Sequence, residues 1–109
     1  MANAPGYTVW GVVNADASIQ PGSSTNFTVE SSQPGVYTIN FDPPFTAPPA
    51  IVGTQCQYDK PGAPINESTK DGLVFPQVTA NSATVETGNS LSTWVPRTFS
   101  FVAMGAMNA

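Results

Sequence analysis

The chain has 109 residues, with seven Asp or Glu against three Lys or Arg and no His. That length supports one domain around one core. A net charge of −4 with so few basic groups excludes neutralising a run of nucleic-acid phosphates, and the lack of His removes His-based nucleophiles and metal sites.

Residues 7–13 are the first expected strand, with Val9 and Val12 as core candidates and Trp10, beside Gly11, as core or interface. Turn-rich connections follow at 14–18, which holds Asp16, and at 21–24, which opens with Pro21-Gly22. A short alternating strand at 27–30 offers Phe27 and Val29 and is closed by Gln33-Pro34-Gly35. Residues 36–41 alternate again, with Val36, Ile39 and Phe41 as core candidates. Pro43-Pro44 and Pro48-Pro49 then forbid helix and remove backbone donors, so this corner is irregular and lies on a surface or sheet edge.

A strand at 50–58 leaves the corner, with Ile51 and Val52 apolar and the single Cys56 as a small inward side chain that has no disulfide partner in the chain. Residues 59–72 read as a solvated rim loop that holds Asp59, Lys60, Glu67, Lys70 and Asp71. The strand at 73–78, with Leu73, Phe75 and Val78, contains Pro76, which implies an edge or a bulge. After a turn at 79–82, residues 83–86 pair back through Val85, and 87–90 open a second polar loop. The closing strand at 97–104 brings Phe99 and Phe101 to one face, with Val102 also taken into the core. No run keeps a 3.6-residue period over ten or more positions, so no substantial helix is expected. The expected architecture is all-β: a single antiparallel sandwich of six to seven strands over residues 1–109.

Only 9% of the residues are charged, against a typical ~25%. The surface must then be largely hydroxyl and amide, or partly covered by further copies of the chain, and a homo-oligomer is expected. Carboxylate pairs serve glycoside hydrolysis, but Glu30, Asp42 and Glu86 read as outward strand or turn residues, so no enzyme is expected. Asp16, Asp59 and Asp71 lie in different loops without ligand spacing, so neither metal nor cofactor is expected. No stretch reaches the ~20 apolar residues of a membrane-spanning helix. Residues 1–6 lack the basic start and apolar run of a secretory signal, which discounts glycosylation at Asn26 and Asn66. A cytoplasmic, non-classically exported or virion-associated location all fit.

The order Ile39-Asn40-Phe41, Phe45, Pro48-Pro49, Ile51-Val52, then Gln55, Gln57 and Asp59 resembles the first half of the H-type lectin domain, found in snail agglutinins and discoidins. Residues 78–85 resemble that family's strand-turn-strand after the central loop, and 99–105 its closing strand. The resemblance covers residues 36–105, more weakly 7–30. It implies an antiparallel sandwich assembled as a trimer, or a multiple of it, with glycans bound between neighbouring subunits. In that family the loop before the last strand carries an aromatic–His pair that contacts sugar, assisted by a basic residue on the preceding strand. Here the loop at 87–96 has no His, and the basic position falls near Val74. The short-strand pattern also resembles terminal modules of bacterial and phage fibres, which implies trimerisation or surface attachment without sugar.

A neutral sugar is held by stacking its apolar face on an aromatic ring while amides, hydroxyls and carboxylates satisfy its hydroxyls. Trp94, in a polar loop that does not alternate like a strand, is the candidate ring, with Asn89, Ser90 and Ser92 as polar partners. Asp16 is a candidate carboxylate, or simply a turn residue. Arg97 is suited either to pairing with a carboxylate across a subunit interface or to forking onto an acidic sugar. Trp94 equally suits covering the end of the sandwich or packing between subunits.

Overall fold

The computed structural model describes residues 3–56 and 70–108. Among them there is no helix, and seven strands run in order: β1 (Asn3–Val13), β2 (Phe27–Gln33), β3 (Val36–Phe41), β4 (Ala50–Gln55), β5 (Gly72–Val78), β6 (Ser82–Gly88) and β7 (Phe99–Asn108). All pairings are antiparallel. One sheet has the order β1-β7-β4 and the other β2-β3-β6-β5, so the chain is an all-β sandwich. The strands run longer than local pattern indicates, because pairing continues through Ser31 and Gln33 on β2 and through Gly105 and Met107 on β7. Most of the expected charged loop, including Asp59, Lys60 and Glu67, lies outside the described residues, as does the end of the strand expected at 50–58.

Alternation aims one face of each strand into the core. Val9, Val13, Phe27, Tyr37, Ile39, Phe41, Ala83, Val85, Phe99, Phe101 and Ala103 are buried there. Val29, Ile51, Leu73, Phe75 and Val78 pack around them, half-buried. The rings of Phe27 and Phe101 meet edge to face at 5.1 Å, and Tyr37 tilts against Phe99 at 5.2 Å, geometries that aromatic quadrupoles favour.

The Pro corner is irregular as expected, but it contributes to the core. Phe45 is buried against Phe41 at 5.0 Å and Tyr7 at 4.8 Å, while the Tyr7 hydroxyl donates to the Pro43 carbonyl at 2.6 Å. β5 is an edge strand, and its ladder shifts register between Val74 and Gln77, around Pro76, which has no N–H to give.

Three expected core residues face the other way. Val12, Val52 and Val102 occupy alternate positions to Val13, Ile51 and Phe101, so the period of two carries them to the outer face of the β1-β7-β4 sheet. Across that face the register sets Thr8, Met104 and Ala50 in one row, Trp10, Val102 and Val52 in the next, and Val12, Ser100 and Thr54 in the third. The outer face of the other sheet is mostly polar: Glu30, Thr38 and Thr84 form a row, the Asn40 amide donates to Glu30 at 3.0 Å, and the neighbouring row sets Glu86 between Val36 and Val74. No helix among the described residues is long and apolar enough to cross a membrane.

Candidate functional site

The loop after β6 is held in shape by its own backbone. Asn89 N–H donates to the Thr93 carbonyl and Ser92 N–H to the Asn89 carbonyl, each at 3.1 Å. The Asn89 side-chain oxygen accepts from Leu91 N–H at 2.9 Å and from Thr93 N–H at 3.1 Å, the self-bonding that makes Asn a turn residue. Ser92 takes a left-handed φ of 63° to close the turn. At the base, the buried Thr87 hydroxyl donates to the Val95 carbonyl at 2.6 Å, and Val95 N–H returns to the Thr87 carbonyl at 3.1 Å.

The β2–β3 hairpin supports this loop from below. Thr87 N–H donates to the Gly35 carbonyl at 2.8 Å. Gly35 has a φ of +80°, and a methyl there would lie 2.9 Å from Val95 N and 3.1 Å from Trp94 Cβ. Only glycine allows the loop to settle so close to the hairpin.

Trp94 bridges to Gly88 and stands at the wall of an open depression of about 380 Å³. The start of β5 forms another side through Gly72, Leu73 and Val74, and the end of β6 another through Glu86, Thr87 and Gly88. Asn89, Ser92, Thr93 and Lys70 complete the lining. The β5–β6 register, Gly72 opposite Gly88 and Val74 opposite Glu86, brings these walls together. From β4, the Gln55 amide donates to the carbonyls of both Gly72 and Gly88 at 2.6 Å, pinning the two strands side by side.

Of the residues singled out in the sequence, the structure brings Asn89, Ser92 and Trp94 to one depression, while Asp16, Ser90 and Arg97 are not part of its lining. Asp16 holds its own turn: its carboxylate accepts from the Ser18 hydroxyl at 2.6 Å and the Ser18 N–H at 3.0 Å. Those bonds, the hydroxyl first, hold its carboxyl below the ordinary carboxylate range. Arg97 pairs at 3.2 Å with Asp71 of its own chain. Gln55 ties the start of β5 to the end of β4, where Cys56 N–H donates to the Thr98 carbonyl, so the residues before β5 and β7 become neighbours.

Glu86, read as an outward strand or turn residue, Lys70, read as part of the rim loop, and Thr93 were not taken as site residues; Glu86 reaches the site through the β5–β6 pairing, and Lys70 lies just before β5. Val74, where the resemblance places a basic residue, also lines the depression. The arrangement combines a half-exposed indole with an amide, hydroxyls, one carboxylate and one ammonium. Such a set offers an aromatic face with hydrogen-bond donors and acceptors around it. Among the described residues no three His, Cys, Asp or Glu side chains cluster as metal ligands.

Compared with known proteins, the chain matches no family model, and no curated protein or solved structure resembles it significantly.

Proposed function

We propose that this chain is a non-catalytic carbohydrate-binding protein, lectin-like, that works as a symmetric oligomer. The observation that carries the reading is Trp94, 49% exposed at the wall of a depression rimmed by Asn89, Ser92, Thr93 and Glu86. The indole is the stacking platform for the apolar face of a neutral sugar. The surrounding amide, hydroxyls and carboxylate answer the sugar hydroxyls. The H-type-lectin-like order of residues 36–105 supports the same reading. A single open site of this kind is weak, and its use lies in multivalency: several sites displayed together on an oligomer bind repeated glycans with avidity.

A second reading is favoured by Leu91, which the loop presents at its tip 80% exposed. An apolar tip on a rigid loop suits a protein surface, as in a fibre-end or trimerisation module that attaches without sugar specificity.

Binding of the intact protein to immobilised neutral glycans, inhibited by a simple sugar, separates the two. Trp94→Ala should weaken glycan capture by some tens of fold with oligomeric mass unchanged. If the variant captures glycans as well as the wild type, the stacking site is wrong. If no glycan is captured and attachment to a protein partner depends on Leu91, the second reading holds.

A further inference from the structure

The outer face of the β1-β7-β4 sheet differs from the rest of the described surface. Trp10, Val102 and Val52 lie side by side across its middle row, 44%, 38% and 69% exposed, and Met104 follows on β7 at 53%. The rows on either side add only Thr, Ser, Ala and Val, so this three-row face carries no ionisable group. A shallow depression of about 430 Å³ lies within it, bounded by Trp10, Val52 and Val102. Outward positions of a sandwich exposed to water ordinarily carry polar side chains, and the opposite sheet sets Glu30, Thr38, Thr84 and Glu86 outward, with Val74 the exposed apolar exception. A contiguous apolar patch on a sheet face marks an interaction surface.

We infer that this face is the one through which copies of the same chain pack, sheet on sheet, with Trp10 as the central anchor. Two observations select a second copy as the occupant. Each chain carries a net charge of −4, so like copies repel wherever their carboxylates meet. Glu30 and Glu86 stand on the outer face of the opposite sheet and Asp16 and Asp42 are exposed in loops, whereas the β1-β7-β4 face lets identical surfaces meet without opposing carboxylates. The second observation is size. β1, β7 and β4 have 11, 10 and 6 residues, which at ~3.3 Å per residue and ~4.8 Å per strand gives roughly 430 Å² per copy. Two copies together cover about 860 Å², close to the ~1,000 Å² of the smallest specific interfaces. A patch with an aromatic anchor at its centre and hydroxyls around it has the anatomy of such interfaces.

The inference rests on the oligomeric part of the proposed function and not on its sugar. Its test is the mass in solution of the full chain and of two variants. The wild type sediments at a multiple of 11.4 kDa. Val52→Glu, which sets like charges against each other across the symmetric contact without disturbing the core, sediments as a single chain. Thr84→Glu, on the outer face of the other sheet, keeps the wild-type mass. In a Trp94→Phe background, Trp10 is the only indole, and its emission shifts to the blue as concentration rises. A wild type that is a lone subunit at micromolar concentration overturns the oligomer and this interface together. An oligomer that survives Val52→Glu, or a Trp10 emission that ignores dilution, overturns the interface alone. Loss of glycan binding with these results intact overturns only the sugar reading.

Discussion

Replacing Gly35 by Ala tests how the binding loop is supported. Two costs add at this position. A φ of +80° places a methyl in the left-handed region, at about 1–2 kcal/mol. The methyl also lies 2.9 Å from Val95 N and 3.1 Å from both the Thr87 carbonyl oxygen and Trp94 Cβ, and the first two are backbone atoms that cannot rotate away. The loop must lift, which strains the Thr87-to-Gly35 and Val95-to-Thr87 bonds, each contributing about 1 kcal/mol. The total is about 2–4 kcal/mol, and at roughly 4–8 °C per kcal/mol for a domain near this size the midpoint falls by ~10 °C or more. Gly22→Ala is the matched control, because Gly22 has a φ of +94° but nothing within 4 Å of the added methyl. Thermal melting followed by circular dichroism, with glycan affinity measured well below the midpoint, should show Gly35→Ala losing more stability than Gly22→Ala and losing affinity as well. Equal losses of stability, with affinity intact in both, would refute the claim that the hairpin positions Trp94.

Three further outcomes follow from the geometry. Trp94→Ala removes about half of an indole's ~200 Å² from contact with a bound sugar, at most ~2.5 kcal/mol at ~25 cal/mol/Å², so glycan affinity drops by some tens of fold by titration calorimetry; a change under ~3-fold counts against stacking. The buried Thr98 hydroxyl has no hydrogen-bond partner among the described residues, so the isosteric Thr98→Val raises stability by about 1 kcal/mol in denaturant titration; a loss would mean that the hydroxyl is satisfied. Asp16 has a carboxyl pKa lower in the folded chain than in the unfolded one, so its contribution is present above the ordinary carboxylate range and disappears as pH falls through the lowered value. Ser18→Ala removes the hydroxyl donor and moves the Asp16 titration upward in carboxyl NMR; an unmoved titration would disprove the cause assigned.

The sheets were legible because period-two patterns and turn residues act locally. The strand at 36–41, the edge strand broken near Pro76 and the closing strand with Phe99 and Phe101 inward all appear where alternation puts them. Val12, Val52 and Val102 went astray for an instructive reason: an apolar side chain looks the same whether it faces the core or an outer apolar face. Phe45 was not among the core candidates, its burial being decided by the fold of the corner over Tyr7 rather than by its neighbours in sequence. At the site, Asn89, Ser92 and Trp94 were readable because one short loop carries them. Lys70 and Glu86 arrive through the β5–β6 register, and Arg97 is drawn to Asp71 by a contact between distant segments. Neither leaves a trace in local spacing.

The most direct test of the account is an amide and indole NMR titration of the intact protein with common monosaccharides. The account predicts saturable shifts at the Trp94 indole N–H, the Asn89 amide and the backbone of Gly72, Val74 and Gly88, with the Trp10 indole unmoved. Shifts that gather on the β1-β7-β4 outer face, or a Trp94 indole that does not respond to any sugar, would contradict it.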